Sequence, residues 1–172
     1  MRFYHIKDEY VDFLRQYDSK VLYNKSENRP YVGIVLKLYD ICYFAPLSSP
    51  KPKHIHMRNS LDFRKIDSGK LGAVNLNNMI PVPEYVLMPI HISEIQDKQY
   101  RRLLNEQYQW LLRDIENIKN AAQKLRQIFL LDDKQLSSFK KKIKTRCCDF
   151  LLLESKCKEF SELQIAAQRS QE

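Results

Sequence analysis

The sequence predicts an α+β fold, with strands before residue 93 and helices after it. Two observations carry this. Up to Ser93 the apolar residues fall in short β-branched and aromatic runs, separated by Gly, Pro, Asn and Asp. Beyond Ser93 they recur at three- and four-residue steps, and no Gly or Pro interrupts them. The first pattern is that of half-buried strands and the second that of amphipathic helices.

Arg2–Ile6 alternates and reads as a short strand. Asp8–Tyr17 follows as a short helix, with Tyr10, Phe13, Leu14 and Tyr17 at helical spacing. Ser19–Pro30 is polar and reads as a loop. Tyr31–Leu38 and Ile41–Leu47 are strand-like and flank Tyr39-Asp40, which predicts a hairpin. Leu71–Leu76, entered through Gly69 and Gly72 and closed by Asn77-Asn78, is another strand. Pro81 and Pro83 break the run. Tyr85–Ile92 is a further strand that Pro89 assigns to an edge or a bulge.

Ser93-Glu94-Ile95-Gln96 has the form of a capping box. Tyr100, Leu103, Leu104, Gln107, Leu111, Ile115, Ile118, Ala122, Leu125 and Phe129 then mark one face of a long helix, or of two separated by a kink. Asp149–Ala167 is the last helix, with Asp149 as its N-cap. The tail 165–172 is expected to fray.

At 172 residues, the length suits a single domain over 1–172, and 44% hydrophobic residues exclude a disordered chain. No apolar stretch approaches the ~18 residues of a membrane span. The start, Met1-Arg2-Phe3-Tyr4-His5, lacks the apolar core of a signal peptide. These features predict a soluble cytoplasmic protein without a membrane partner. The net charge of +8 favours an anionic partner. It is concentrated in two places. Lys51, Lys53, Arg58, Arg64, Lys65 and Lys70 form one cluster, with Asp62 and Asp67 isolated among them. Lys134, Lys140, Lys141, Lys142, Lys144 and Arg146 form the other, with no acid between them; its plainer reading is a solvated helix face or linker. A zinc site from Cys147, Cys148, Cys157 and His54 or His56 would lack any Cys-x-x-Cys pair, so reduced, partly buried thiols and no metal are expected.

The densest chemistry lies in Ala45-Pro46-Leu47-Ser48-Ser49-Pro50-Lys51-Pro52-Lys53-His54-Ile55-His56-Met57-Arg58. Hydroxyls, cations and imidazoles meet there with no carboxylate, which suits a polyanion. RNA carries its own nucleophile, the 2′-hydroxyl. Cutting it needs only a base, cations for the charged phosphorane and an acid for the leaving 5′-oxygen. No spaced Asp/Glu cluster of the kind that holds two Mg²⁺ occurs in the strand region. Ser48 and Ser49 can donate to a phosphate oxygen, and Lys51 can supply charge to it. If the two strands pair through a short turn, Arg29 meets Ser48–Lys51 at their outer ends. The same Ser-Ser-Pro is also an ordinary turn. His54 and His56 alternate on an extended segment and offer acid–base groups. Tyr4, Tyr23, Tyr31, Tyr39, Tyr43 and Phe63 offer stacking surfaces, of which one or two are expected to meet RNA.

Five blocks, in order, resemble the ToxN/AbiQ family, the endoribonuclease toxins of type III toxin–antitoxin and phage abortive-infection systems. They are Arg2-Phe3-Tyr4-His5-Ile6, Arg29-Pro30-Tyr31-Val32-Gly33-Ile34-Val35-Leu36, Phe44-Ala45-Pro46-Leu47-Ser48-Ser49-Pro50-Lys51, Asn77-Asn78-Met79-Ile80-Pro81-Val82-Pro83, and Cys147-Cys148-Asp149-Phe150 with Leu153-Glu154. The resemblance spans residues 2 to about 160. It implies a compact twisted antiparallel sheet with surrounding helices, similar to the MazF/Kid ribonuclease toxins. It also implies metal-free, cofactor-free cleavage that leaves a 2′,3′-cyclic phosphate. The implied partners are cellular or phage RNA and a small repeat-derived pseudoknot antitoxin RNA, which the toxin processes and which inhibits it, in a higher-order assembly or a simple pair.

Carried over by position, the family's Lys, Thr/Ser-Ser and Lys fall on Arg29, Ser48, Ser49 and Lys51. Arg29 stays protonated, so it reads as an electrostatic clamp rather than a base. The family's tyrosine falls on Tyr23 or Tyr31. Lys53, His54, His56, Arg58, Arg64, Lys65, Lys140, Lys141, Lys142, Lys144, Arg146 and Tyr31 are the expected RNA contacts. Two rivals remain: a non-catalytic RNA-binding module, and a DNA-binding repressor led by Lys140–Arg146, for which no helix-turn-helix pattern appears.

Overall fold

The computed structural model describes residues 1–169. In chain order the regular elements are β1 (Arg2–Ile6), α1 (Asp8–Tyr17), β2 (Tyr31–Leu38), β3 (Ile41–Ser48), α2 (Pro52–His56), β4 (Arg64–Lys65), β5 (Ala73–Val74), β6 (Ile80–Pro81), β7 (Leu87–Pro89), α3 (Lys98–Phe129), α4 (Ser138–Arg146) and α5 (Phe150–Arg169). Several 3₁₀ turns connect them. Sheet and helices are mixed as expected for α+β. The strands form a seven-stranded antiparallel sheet in the order β4-β5-β3-β2-β1-β7, with β6 also pairing with β3. No helix among the described residues is long and apolar enough to cross a membrane.

The β2–β3 hairpin is the centre of the sheet. Tyr31 pairs with Pro46, Val32 with Ala45 and Gly33 with Phe44; beyond a register shift, Leu38 pairs with Ile41. Tyr39, at φ +52°, makes the turn with Asp40. At the open end Leu47 N donates to Pro30 O at 2.8 Å, which carries the register on to Arg29 opposite Ser48. Pro89 lies in the edge strand β7, where its missing N–H disrupts no inner ladder.

Helix α3 is one unbroken helix of 32 residues, about 48 Å long. Leu104, Leu111, Ile118, Ala122 and Leu125 on its inner face are buried against the sheet. Each such leucine or isoleucine contributes roughly 1.5–3 kcal/mol. α5 packs against α1 and β6. Phe160 meets Tyr10 and Phe13 of α1 with ring centroids 5.0 Å apart in each case. The Tyr43 hydroxyl of β3 donates to Glu154 Oε1 at 2.7 Å, and Arg126 of α3 holds the same carboxylate at 2.9 Å through two donors. Glu154 therefore ties one sheet strand and two helices together. Asp149 caps α5 as expected, accepting from Leu152 N at 3.1 Å.

Four sequence expectations change. The start of α3 is capped by Asp97, whose carboxylate accepts from Gln99 N and Tyr100 N, and not by Ser93. Ile92 and Ile95 pack on the core and hold that segment as a 3₁₀ turn instead. The strand expected over Leu71–Leu76 shrinks to Ala73–Val74, and that over Tyr85–Ile92 to Leu87–Pro89 behind a 3₁₀ turn. His54 and His56 lie in a short helix rather than an extended segment, because Pro52 presets the helical φ at its first position. Helix α5 runs to Arg169, and residues 170–172 of the tail lie outside the described residues.

Candidate active site

The open end of the β2–β3 hairpin borders a cleft of about 440 Å³ lined by Ser48, Lys51, His54, Asn75, Asn77 and Arg146, among others. β3 delivers Ser48 from the sheet, and the turn that follows brings Lys51 and α2 over the cleft. Two glycines allow that turn to sit close. Gly72 has φ +99°, and a Cβ there would stand 2.0 Å from Ser48 O; Gly69 has φ +95°, and its Cβ would stand 2.5 Å from His54 O. Only glycine adopts these angles without cost. They press the β4–β5 segment against the backbone that carries Ser48 and His54.

Within the cleft Ser48 Oγ accepts a hydrogen bond from Asn75 Nδ2 at 2.7 Å. Asn75 is anchored in turn, its N and Nδ2 both donating to Pro46 O at 3.0 and 3.3 Å. With its lone pair engaged, the Ser48 hydroxyl keeps its own proton for an incoming acceptor. Lys51 and Lys53 are exposed. His54 is 2% exposed, and its Nδ1 is buried with no partner. Burial, followed by the charges of Lys51 and Lys53, lowers its pKa from the usual 6.5. The imidazole is thus neutral at neutral pH.

On another wall Arg146 donates from Nε and Nη2 to Asp62 at 2.5 and 2.8 Å. Ser60 Oγ donates to the same carboxylate at 2.8 Å. Burial pushes the Asp62 carboxyl up, but the hydrogen bonds from Arg146 and Ser60 outweigh it and hold the group below the usual range. Asp62 is therefore not isolated among cations; its partner comes from the second basic cluster.

Of the site residues singled out by sequence, the cleft gathers Ser48, Lys51, Lys53, His54, Phe63 and Arg146. Ser49 is exposed at the end of β3. Arg29 stands opposite Ser48 along the backbone, but its Nε donates to Tyr23 O at 2.7 Å, and it does not line the cleft. His56 and Arg58 are exposed beyond it, as are Lys140, Lys141 and Lys142 along α4.

Of the expected RNA contacts, one is corrected by burial and three have partners within the protein. Tyr31 is 1% exposed, so its ring is core and offers no stacking face. Arg64 forms a bidentate pair with Asp114, both bonds 2.5 Å, which pins β4 to α3. Lys144 is held by Asp133 at 2.8 Å. Lys65 Nζ donates to Ile55 O at 3.2 Å and braces α2. Sequence reasoning missed Asn75, Asn77, Ser60 and Asp62 as cleft residues. Asn77 carried a faint signal as the closing pair of a strand, and the others carried none.

Cys147 and Cys148 are buried, and burial pushes the Cys147 thiol up to about 12 and raises that of Cys148. Among the described residues no three His, Cys, Asp or Glu side chains are grouped to hold a metal ion.

A family model described as toxin ToxN of the type III toxin–antitoxin system matches residues 2–158. An endoribonuclease ToxN from Bacillus thuringiensis subsp. kurstaki is 38% identical over 172 residues, covering 98% of this chain and 88% of the relative. Among solved structures, one concerned with selective toxin inhibition by a non-coding RNA pseudoknot in bacterial type III systems superposes with a TM-score of 0.82 at 38% identity, covering 94% of this chain and 98% of that one. AbiQ, a lactococcal anti-phage endoribonuclease of a type III system, superposes with a TM-score of 0.77 at 29% identity, covering 94% and 98%.

Proposed function

The chain belongs to the ToxN family of toxins of type III toxin–antitoxin systems, and on that premise we propose that it is a metal-independent endoribonuclease acting in phage abortive infection. The observation that carries this reading is one cleft holding a hydroxyl, a lysine and a neutral imidazole, with Asp62, the carboxylate beside them, already paired to Arg146.

Each group has a role in transesterification. Ser48 and Ser49 donate to the non-bridging oxygens of the scissile phosphate. His54 accepts the proton of the RNA 2′-hydroxyl. The 2′-oxygen then attacks the adjacent phosphorus while the bond from phosphorus to the 5′-oxygen breaks. Lys51 stabilises the charge of the pentacoordinate state and protonates the departing 5′-oxygen. The products are a 2′,3′-cyclic phosphate and a 5′-hydroxyl. Arg29, at the outer end of β2, clamps the strand once RNA draws its guanidinium away from Tyr23. Lys53, His56, Arg58 and the exposed lysines of α4 hold the backbone electrostatically.

By the same premise the protein processes a repeat antitoxin RNA and is inhibited by the pseudoknot units it releases, alone or in a larger assembly. The pseudoknot inhibition described for its structural neighbour supports this. The reading extends to a single toxin domain over 1–172, a cytoplasmic location and a MazF/Kid-like sheet core. The test is direct. The purified protein is mixed with single-stranded RNA and duplex DNA, and Ser49→Ala serves as control. Cleavage of RNA by the wild type alone is expected. RNA bound but intact would favour a non-catalytic binding module, and a strong preference for the duplex would favour a repressor.

A further inference from the structure

We infer that Arg146, positioned by Asp62, reads the base edge of a nucleotide next to the scissile phosphate, and so sets part of the sequence preference of the cleavage proposed above. This rests on that reading and assigns a purpose to the wall of the cleft that the chemistry leaves unused.

Arg146 lines the same cleft as Ser48 and Lys51. Its side chain is 49% exposed, whereas that of Asp62 is 4% exposed beneath it. Asp62 engages Nε and Nη2, two of the five donors of a guanidinium. The other donors, on Nη1 and the far side of Nη2, point away from the carboxylate. The pair is fixed at both ends by one residue. Asn77 N donates to Asp62 O at 2.9 Å, and Asn77 Nδ2 donates to Arg146 O at 3.4 Å. Ser60 adds a third bond to the carboxylate. The guanidinium plane is thus held before any ligand arrives.

The charge balance decides what such a fork recognises. A phosphate reader needs net positive charge, because counterion release drives backbone binding. Asp62 cancels the charge of Arg146 at 2.5–2.8 Å, so the pair is close to neutral seen from a phosphate. What remains is direction: planar donors at fixed angles, suited to the acceptor atoms of a base edge. The cleft volume of about 440 Å³ suits a small ligand such as a nucleotide, and Phe63 adds an apolar surface to it. Unpaired RNA presents such edges to proteins.

The experiment compares wild type, Arg146→Lys, Arg146→Ala and Asp62→Asn by sequencing the ends of cleaved RNA, with RNA binding measured across salt concentrations. The wild type is expected to show a preferred base at one position beside the cut. Arg146→Lys keeps the charge and loses the fork, and should flatten that preference. Its cleavage of the preferred sequence should fall about tenfold to a hundredfold, with the salt slope of binding unchanged. Asp62→Asn should flatten the preference as well, but with a salt slope steeper by about one, because the charge of Arg146 is no longer cancelled. Should it melt early, Arg146→Lys carries the test alone. A base preference that persists in Arg146→Lys, or a wild type without one, would overturn the inference. A preference unchanged in Arg146→Ala with a salt slope lower by about one would reassign the residue to a phosphate. A wild type that cuts no RNA would overturn the proposed function itself, and this inference with it.

Discussion

Asn75 Nδ2 donates to Ser48 Oγ at 2.7 Å across the β3–β5 junction. This bond orients the hydroxyl proton toward the cleft rather than toward the protein. Asn75→Ala removes it and should lower kcat/KM about tenfold, the scale of one such bond of about 1.4 kcal/mol. Asn75→Asp should be worse, because a carboxylate there accepts the Ser48 proton and repels the phosphate. Steady-state cleavage of a short RNA separates the two variants. Equal activity in both would remove Asn75 from the site.

Ser49 is exposed, so Ser49→Ala should leave the melting temperature unchanged. Loss of a donor to the developing charge should lower cleavage by about 10²–10³ and abolish toxicity on expression. A fully toxic Ser49→Ala protein would show that this hydroxyl is not used.

His54 gives the reaction its expected pH dependence. Its pKa is lowered, first by burial and then by Lys51 and Lys53. A base works when deprotonated, so the rate should rise with pH through a midpoint below 6.5 and level off by neutrality. His54→Gln should remove the rise. Lys53→Ala takes away one of the neighbouring charges and should move the midpoint back toward 6.5. A pH–rate profile for the three proteins checks this, and a midpoint unmoved in Lys53→Ala counts against the assignment.

Glu154 supplies a stability prediction independent of catalysis. Its side chain is 14% exposed beside Arg126 at 19%. Burial pushes the carboxyl up, but the hydrogen bonds from Arg126 and Tyr43 outweigh it and bring the group below its usual 4.5. A depressed carboxyl stabilises the fold above its unfolded value. That contribution is lost as pH falls through the folded value. Glu154→Ala leaves a largely buried Arg126 unpaired and should destabilise by about 3 kcal/mol at pH 7. The deficit should shrink below pH 4.5 in urea melts.

Much of the fold was legible in the sequence, for local reasons. β1, α1 and β2 have the bounds their periodicity predicts, and β3 extends one residue further, to Ser48. The hairpin turn at Tyr39-Asp40 placed Arg29 at the Ser48–Lys51 end; the register shift between Gly33 and Leu36, which sets it opposite Ser48, was not legible. Side-chain direction was not legible: whether Arg29 turns to the cleft or to Tyr23 depends on the fold of the 18–30 loop, which has no period. The Asp62–Arg146 pair was hidden for a different reason. Its members are 84 residues apart and belong to two clusters that read separately as basic patches. Between residues 64 and 92 the strands are two or three residues long and alternate with 3₁₀ turns, too short for any periodicity to register. Tyr31 illustrates the converse, since a strand position next to a functional segment looks the same whether it faces RNA or core.

The central claim is that the RNA supplies the nucleophile and the protein supplies every other group. The most direct measurement is cleavage of RNA by the purified protein in EDTA, with the chemistry of the new ends determined. The account predicts undiminished cutting, a 2′,3′-cyclic phosphate on the upstream fragment and a 5′-hydroxyl on the downstream one. Intact RNA in EDTA with cutting restored by Mg²⁺, or a 5′-phosphate on the product, would contradict it.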